Sequence, residues 1–574
     1  MAIDCPQSRA VAAPCGAVAR VVASFPTDTT LVAVLWLTAA AGLLSALRLE
    51  WWYWPGSVFL RPKSGIWTAL AWNAAHGEIY RAPLSADGYG GSRYMPLLFA
   101  IHALVIRAHV DPVIGGALLM HATVAAASLA LLAALGGAGV PRRLAVPLSL
   151  FVWCTVIYQQ SCTDLNPDYL AAAIALVGVV LAAGRSRGRL GLAGAAACVV
   201  LAALTKITAI AFAAPVLFCV RRQRGAAAAA LSGAAIAALF VTAAACVDRV
   251  SGGRFVAGVG PTLFGGAALH DVLNSVPKLA IELAIKPFDV ALPFALALVT
   301  SAIAAAHRRF AWPHAYLITA CAVTLVIFAS PGTASNHLVD LQMASVLTLG
   351  ATLVAGLEPA SRGQASSARS PSGSVPPRID PGAVTAQPPH ALPGRIDTTR
   401  TAVLLVAAAQ GLMLAVIAWP APGMPSVIAT IAPRPRAAVR ALGAEFLPPG
   451  TRYVATDPIV AVLNGDRPWL LDYFNLERFY RDGTPAGRDF AARVHARFFD
   501  VIVLPDSDDF PTDLDAGALE LLERGLRYWA GRDSALAPLI RSTYEIHAVR
   551  KPFVILTPIG RESGDEPDAA IAWH

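Results

Sequence analysis

The chain has 574 residues, of which 56% are hydrophobic and only 14% charged, with a mean hydropathy of +0.57. A water-soluble globular protein carries about a quarter charged residues, so this composition implies an integral membrane protein. The formal net charge is +8, but the basic residues sit in short clusters between apolar segments, as topology demands, which argues against nucleic acid as a partner.

In chain order, residues 1–30 carry Arg9 and Arg20 and precede an apolar run from Leu31 to Leu49. That run is about long enough to span, since roughly 20 residues are needed. It ends in R-L-E-W-W and not in a small-residue cleavage site, so it reads as an anchor. A polar run follows from Glu50 to Asp111, too polar for lipid yet rich in Trp, Tyr and spaced apolar residues. Further apolar segments occupy 112–136, 144–160, 169–184, 190–204, 207–220, 225–247, 288–306, 313–330, 338–358 and 400–419. Together these predict about eleven transmembrane helices, several of which must tilt or extend. The eight cysteines are scattered, mostly within apolar segments, and no C-x-x-C pair occurs, so neither a zinc site nor a disulfide framework is implied.

The segment Tyr94–Val110 is interrupted by His102, Arg107 and His109. If it lies along the membrane face and the N-terminus is cytoplasmic, four basic clusters and the linker 359–399 all fall inside. The clusters are Arg142-Arg143, residues 185–189, residues 221–224 and His307-Arg308-Arg309. The positive-inside bias therefore predicts a juxtamembrane amphipathic helix there. The polar segments 50–111, 161–168, 205–206, 248–287 and 331–337, and everything after about 420, then face outward. Residues 359–399, rich in Ser, Pro, Gly and Arg, read as a disordered cytoplasmic linker. The tail 433–574 is charged and cysteine-free and reads as a small extracytoplasmic α/β domain. Strands are predicted at Arg452–Thr456, Asp500–Leu504 and Phe553–Thr557, and helices at Pro435–Phe446, Arg488–Arg497 and Asp515–Trp529.

Four outward-facing clusters carry the candidate chemistry. The loop offers Glu50, Lys63, Glu78, Tyr80, Arg81, Asp87, Arg93 and Tyr94, with Arg93 suited to clamp a phosphate; its tryptophans equally suit an interfacial belt. In T-D-L-N-P-D, Asp164 and Asp168 share a face if the helix begins early. Carboxylates beside a membrane are costly, so one of them is expected to act as a base or to hold a divalent cation, while Asn166 could simply cap a helix. Lys206, in L-T-K-I-T, could neutralise a phosphate or could snorkel. In S-N-H-L-V-D-L, His337 could meet a lipid head group, Asn336 could simply cap the helix that follows, and Asp340, one turn inside a span, needs a partner or a cavity. No nucleotide-binding or serine-hydrolase signature occurs.

A first span followed by a long loop ending G-E-I-Y-R-A-P…R-Y-M-P-L, then N-P-D at 166–168, L-T-K-I-T at 204–208 and S-N-H-L-V-D-L at 335–341, resembles the GT-C fold glycosyltransferases that use polyprenyl-phosphate sugars. This group includes the protein O-mannosyltransferases and the lipid A aminoarabinose transferase. The resemblance covers most of 31–358 and implies an inverting transfer of a sugar from the lipid carrier to an extracytoplasmic lipid, glycan or protein acceptor. It further implies a bacterial inner membrane location. Asp164, Asp168 or Glu50 would serve as base; Arg93, Tyr94, Lys206, Asn336 and His337 would bind substrate; a divalent cation could take part. The alternatives are a transporter or flippase, which calls for charges deep in several spans and paired broken helices, and a non-catalytic envelope assembly protein of the same fold.

Overall fold

A computed structural model of the chain describes residues 27–53, 62–155, 158, 164–184, 188–260, 269–330, 333, 335–355, 407–408, 410, 436–505, 535–550 and 553–560. The linker 359–399, the predicted helix Asp515–Trp529 and most of the segment 400–419 lie outside these residues.

The first helix, α1 (Thr27–Tyr53), runs past the predicted end of the span, so Glu50 lies in its last turn instead of opening a loop. Helices α2 (Pro62–Ala75) and α3 (Pro96–Arg107) pack on each other; α3, at 12 residues, is about 18 Å long and too short to span. Pro96 starts it, and Arg107 reaches back to the carbonyls of Ala74 and Ala75 that end α2, at 3.2 and 2.9 Å. Asp111 then caps α4 (Pro112–Gly137), accepting from the amides of Val113 and Ile114.

The predicted span 144–160 is not one helix in the described residues. Helix α5 (Arg142–Leu150) contains Pro147 and tightens into a 3-10 turn at Phe151–Trp153. Next come α6 (Asp168–Ala183) and α7 (Gly188–Thr205), which pack along each other, while α6 also lies against α4. The predicted segment 207–220 is likewise divided, into a 3-10 turn at Ile207–Phe212 and α8 (Ala213–Arg224), because Pro215 near the start of α8 has no N–H to carry an α-helical ladder back into the turn. Helix α9 (Ala226–Val250) is followed by α10 (Arg254–Val259) and α11 (Leu269–Ile285). The polarity of 248–287 predicts a loop, but α11 carries Leu269, Val272, Val276, Leu279 and Leu283 at helical spacing. The bundle ends with α12 (Leu292–Ala306), α13 (Trp312–Phe328), a 3-10 turn at Ser335–Leu338 and α14 (Val339–Ala355).

Six stretches among the described residues are long and apolar enough to cross a membrane: Thr29–Leu47, Pro112–Gly137, Gly188–Thr205, Ala226–Val250, Asp289–Ala306 and Asn336–Val354. Pro96–Arg107, Asp168–Ala183 and Trp312–Phe328 are apolar but shorter. The protein is an integral membrane protein.

Residues 436–560 form a mixed four-stranded sheet with order β1-β2-β4-β3. The elements are α15 (Arg436–Phe446), β1 (Tyr453–Ala455), α16 (Ile459–Asn464), α17 (Tyr473–Arg481), α18 (Pro485–His495), β2 (Val501–Pro505), α19 (Leu536–Thr543), β3 (Tyr544–Arg550) and β4 (Phe553–Pro558). β1 and β2 pair in parallel, and β4 is antiparallel to both β2 and β3. The central strands β2 and β4 are the most apolar, with Ile502, Leu504, Val554, Ile555 and Leu556 fully buried.

The polar loop 76–94 is fastened to this sheet region. The amide of Tyr89 donates to the Trp469 carbonyl at 2.6 Å and its carbonyl accepts from Leu471 at 3.1 Å, a short parallel bridge. Gly88 (φ +122°) is required there, since a Cβ would fall 2.2 Å from the Trp469 oxygen. Glu78 gathers three guanidinium groups, from Arg81 (3.2 Å), Arg254 (3.3 Å) and Arg467 (2.6 Å), and Arg467 also holds Asp87 at 2.5 Å. Asn475 donates to the Gly91 carbonyl at 2.7 Å. The loop residues Glu78, Arg81 and Asp87, singled out for chemistry by sequence, are thus spent on this clamp.

Candidate functional site

Helix α6 begins at Asp168, not earlier. Pro167 occupies the preceding position, where its ring restrains the chain and its missing N–H costs nothing. Asp164 and Asp168 therefore do not share a helical face, which corrects the expectation of an early start. Asp168 is buried at the first turn, 1% exposed, and its two carboxylate oxygens are both occupied. Oδ1 meets the Lys206 ammonium at 2.5 Å and His337 Nδ1 at 3.0 Å; Oδ2 accepts from the Asn336 amide at 2.6 Å. Lys206 Nζ also stands 3.3 Å from His337 Nδ1.

Each partner is placed by the end of an element. Lys206 sits in extended backbone (φ −149°, ψ 115°) between the last residue of α7 and the next 3-10 turn, so its side chain leaves the helix sideways toward the start of α6. Asn336 and His337 belong to the 3-10 turn that precedes α14. The Asn336 side chain bonds across to Asp168, so its role is tertiary and not that of a helix cap. The Lys206 side chain is 10% exposed and is fixed by an ion pair, which disposes of the snorkelling alternative. Four of the eight site residues expected from sequence, Asp168, Lys206, Asn336 and His337, thus converge from three separate segments.

Asp164 lies just outside this cluster, half-buried, and accepts a hydrogen bond from Ser64 Oγ at 2.9 Å. Ser64 in turn accepts from the Leu165 amide at 2.9 Å, so helix α2 holds the 164–166 approach in place. Ser64 was not singled out from sequence; a lone serine in K-S-G gives no signal. One residue on, Gly65 lets α2 pack on Asp457 before α16: a Cβ there would lie 1.9 Å from Asp457 Oδ1.

Arg93 and Tyr94 are positioned elsewhere. The Arg93 guanidinium lies over the rings of Tyr94 and Phe474, at 5.6 and 5.5 Å to the centroids. Tyr94 and, after it, Asp472 hold Arg93 above its ordinary pKa against the effect of burial. Burial raises the Asp472 carboxyl, with Arg93 opposing. The Tyr94 ring packs on Trp67 at 4.5 Å, and Trp67 is buried in the core and so does not belong to an interfacial belt. These contacts of Arg93 run toward the sheet region, not to the Asp168 cluster. The side chains of Glu50, Lys63, Trp51, Trp52 and Trp54 lie outside the described residues.

The donor set does not fit a divalent cation. Both oxygens of Asp168 face donors, an ammonium occupies the position a metal would take, and no group of three His, Cys, Asp or Glu side chains is suitably gathered among the described residues. The arrangement suits an anion instead: an ammonium, an imidazole and an amide gathered at one point, with a carboxylate holding them there.

No known sequence family and no curated protein matches the chain. Among solved structures, ArnT from Cupriavidus metallidurans matches in its undecaprenyl phosphate-bound form at a TM-score of 0.50, with 13% identity, 92% of this chain and 99% of that chain covered. Its apo state gives 0.51 and 12% over 92% and 98%. The oligosaccharyltransferase of Archaeoglobus fulgidus, tethered to an acceptor peptide containing the NVT sequon, gives 0.49 and 13% over 90% of this chain and 72% of its own. The matches to ArnT cover 92% of this chain and 98–99% of the other, and the protein has the GT-C fold.

Proposed function

We propose that the protein is a membrane glycosyltransferase that moves a sugar from a polyprenyl-phosphate carrier to a lipid, glycan or protein acceptor at the extracytoplasmic face. The observation that carries this reading is the half-buried cluster of Lys206, His337 and Asn336 around the buried Asp168, in a fold shared with a protein solved bound to undecaprenyl phosphate. The lipid phosphate departs from the anomeric carbon as an anion, and Lys206, His337 and Asn336 supply the donors that stabilise it. Asp168, already bonded to all three, serves as their counter-ion. Asp164, half-buried and oriented by Ser64, is then the better placed base. It takes the proton as an acceptor hydroxyl or amine attacks the sugar carbon opposite the leaving phosphate, with inversion. Glu50, at the end of α1, is the other carboxylate retained for that role. Arg93 and Tyr94, backed by Asp472, are assigned to the acceptor side. The carrier is confined to the bilayer, so much of the proximity comes from binding in the plane.

By this reading the protein sits in a bacterial inner membrane, with residues 1–30 and 359–399 cytoplasmic, 31–358 and 400–419 forming the membrane part, and 433–574 an extracytoplasmic α/β domain. The test is to incubate purified protein in proteoliposomes with labelled polyprenyl-phosphate sugars and acceptor lipids, and to monitor release of the lipid phosphate. Lys206→Ala and Asp164→Asn should each lose at least about 100-fold in rate while remaining folded. Undiminished release by both variants would remove the site.

A further inference from the structure

Asp340 is a carboxylate beside the cluster that the cluster does not use. It lies in the first turn of α14, four residues after Asn336 and three after His337, so all three share one side of that segment. It is 3% exposed, and its Oδ1 has no hydrogen-bond partner among the described residues. Both Lys206 and Asp168 lie within electrostatic reach of it. One largely buried ammonium therefore lies near two buried carboxylates, only one of which is bonded to it. A buried carboxylate without a full set of donors is expensive, so its retention at this spot calls for a role.

We infer that Asp340 is a positioning residue whose charge opposes anions at Lys206 and so favours release of the lipid phosphate product over retention of the donor. This inference rests on the proposed transferase reading. The donor is a phosphodiester and carries one negative charge at its phosphate. When the bond from the sugar carbon to the phosphate oxygen breaks, the oxygen keeps the electron pair and the product is a monoester bearing up to two charges. A fixed negative charge acts on each phosphate charge by Coulomb's law, so its penalty is about twice as large for the dianion as for the monoanion. Asp168 cannot make this distinction alone, because its charge is matched by Lys206.

The experiment measures binding at pH 8, where a free carboxyl and the second phosphate proton are both ionised. The ligands are undecaprenyl phosphate, an undecaprenyl phosphodiester sugar and uncharged undecaprenol, each tested on wild-type protein and Asp340→Asn. If the substitution tightens the phosphodiester by about threefold, the monoester should tighten by about tenfold, the square of that factor, with undecaprenol unchanged. Equal effects on all three ligands, or no change in any, would overturn the inference. Asp340→Glu, which keeps the charge, should bind the monoester as wild type does; if it behaves as Asp340→Asn does, the role is one of packing and the inference fails. Failure of wild-type protein to bind either phosphate would instead count against the transferase reading itself.

Discussion

Replacing Lys206 by Met should destabilise the protein more than any surface change could, because it leaves Asp168 buried and charged. The carboxylate is 1% exposed and loses its 2.5 Å ammonium partner, keeping only Asn336 at 2.6 Å and His337 at 3.0 Å. Breaking a buried pair on one side costs about 3–5 kcal/mol; the two surviving donors favour the lower end, about 3 kcal/mol. Asp168→Asn, which strands Lys206 at 10% side-chain exposure, should cost a similar amount. The double variant Asp168→Asn/Lys206→Met buries no net charge and should recover most of the loss, with a coupling of at least about 2 kcal/mol. The assay is the thermal unfolding midpoint of purified protein in detergent. Single variants should fall by about 2–4 °C, and the double should lie closer to wild type than either. Transfer should stay lost in all three. A double variant whose drop equals the two single drops together would refute the view that these groups form one electrostatic unit.

The geometry carries two more expected outcomes. Gly88→Ala places a Cβ on the Trp469 carbonyl at a φ that disfavours side chains, so the bridge between Tyr89 and 469–471 should weaken by about 1–3 kcal/mol. Trypsin should then cut faster after Arg81, whose guanidinium is otherwise buried against Glu78 and the Pro468 carbonyl; an unchanged cleavage rate would contradict the clamp. Ser64→Ala removes both the donor to Asp164 and the acceptor of the buried Leu165 amide, at a cost of about 1–2 kcal/mol. Transfer should drop by about tenfold with the donor KM little changed, as expected if Ser64 orients the base; a change confined to KM would assign Asp164 to binding instead.

The membrane character and several helix starts were legible in the sequence because their causes are local. Pro167, Pro96, Pro112 and Pro313 each begin a helix, and charges such as Asp168, Lys206 and His337 at the ends of apolar segments are too costly to be incidental. That these charges meet was not legible, since it depends on α6 and α7 packing along each other and on the approach of the turn before α14, over separations of 38 and 169 residues. Hydropathy also misjudged continuity. Pro147 and Pro215 divide segments whose average composition reads as single spans, and α11 hides behind Asp271, Asn274, Pro277 and Lys278, which depress the average of an amphipathic helix. In the sheet, β3 escaped because its alternation is half-exposed, with Glu545, His547 and Arg550 interleaved among Tyr544, Ile546 and Val549. The loop clamp joins residues nearly 400 apart through backbone groups, which leave no trace in side-chain pattern, and through ion pairs whose distant partners the sequence does not match up.

The most direct measurement is a structure of the protein with undecaprenyl phosphate bound. The account predicts the phosphate within hydrogen-bond reach, about 3 Å, of Lys206 Nζ and of His337 or Asn336, with Asp168 still in contact with Lys206. A phosphate seated away from these groups, with the ion pair of Asp168 and Lys206 untouched, would contradict it.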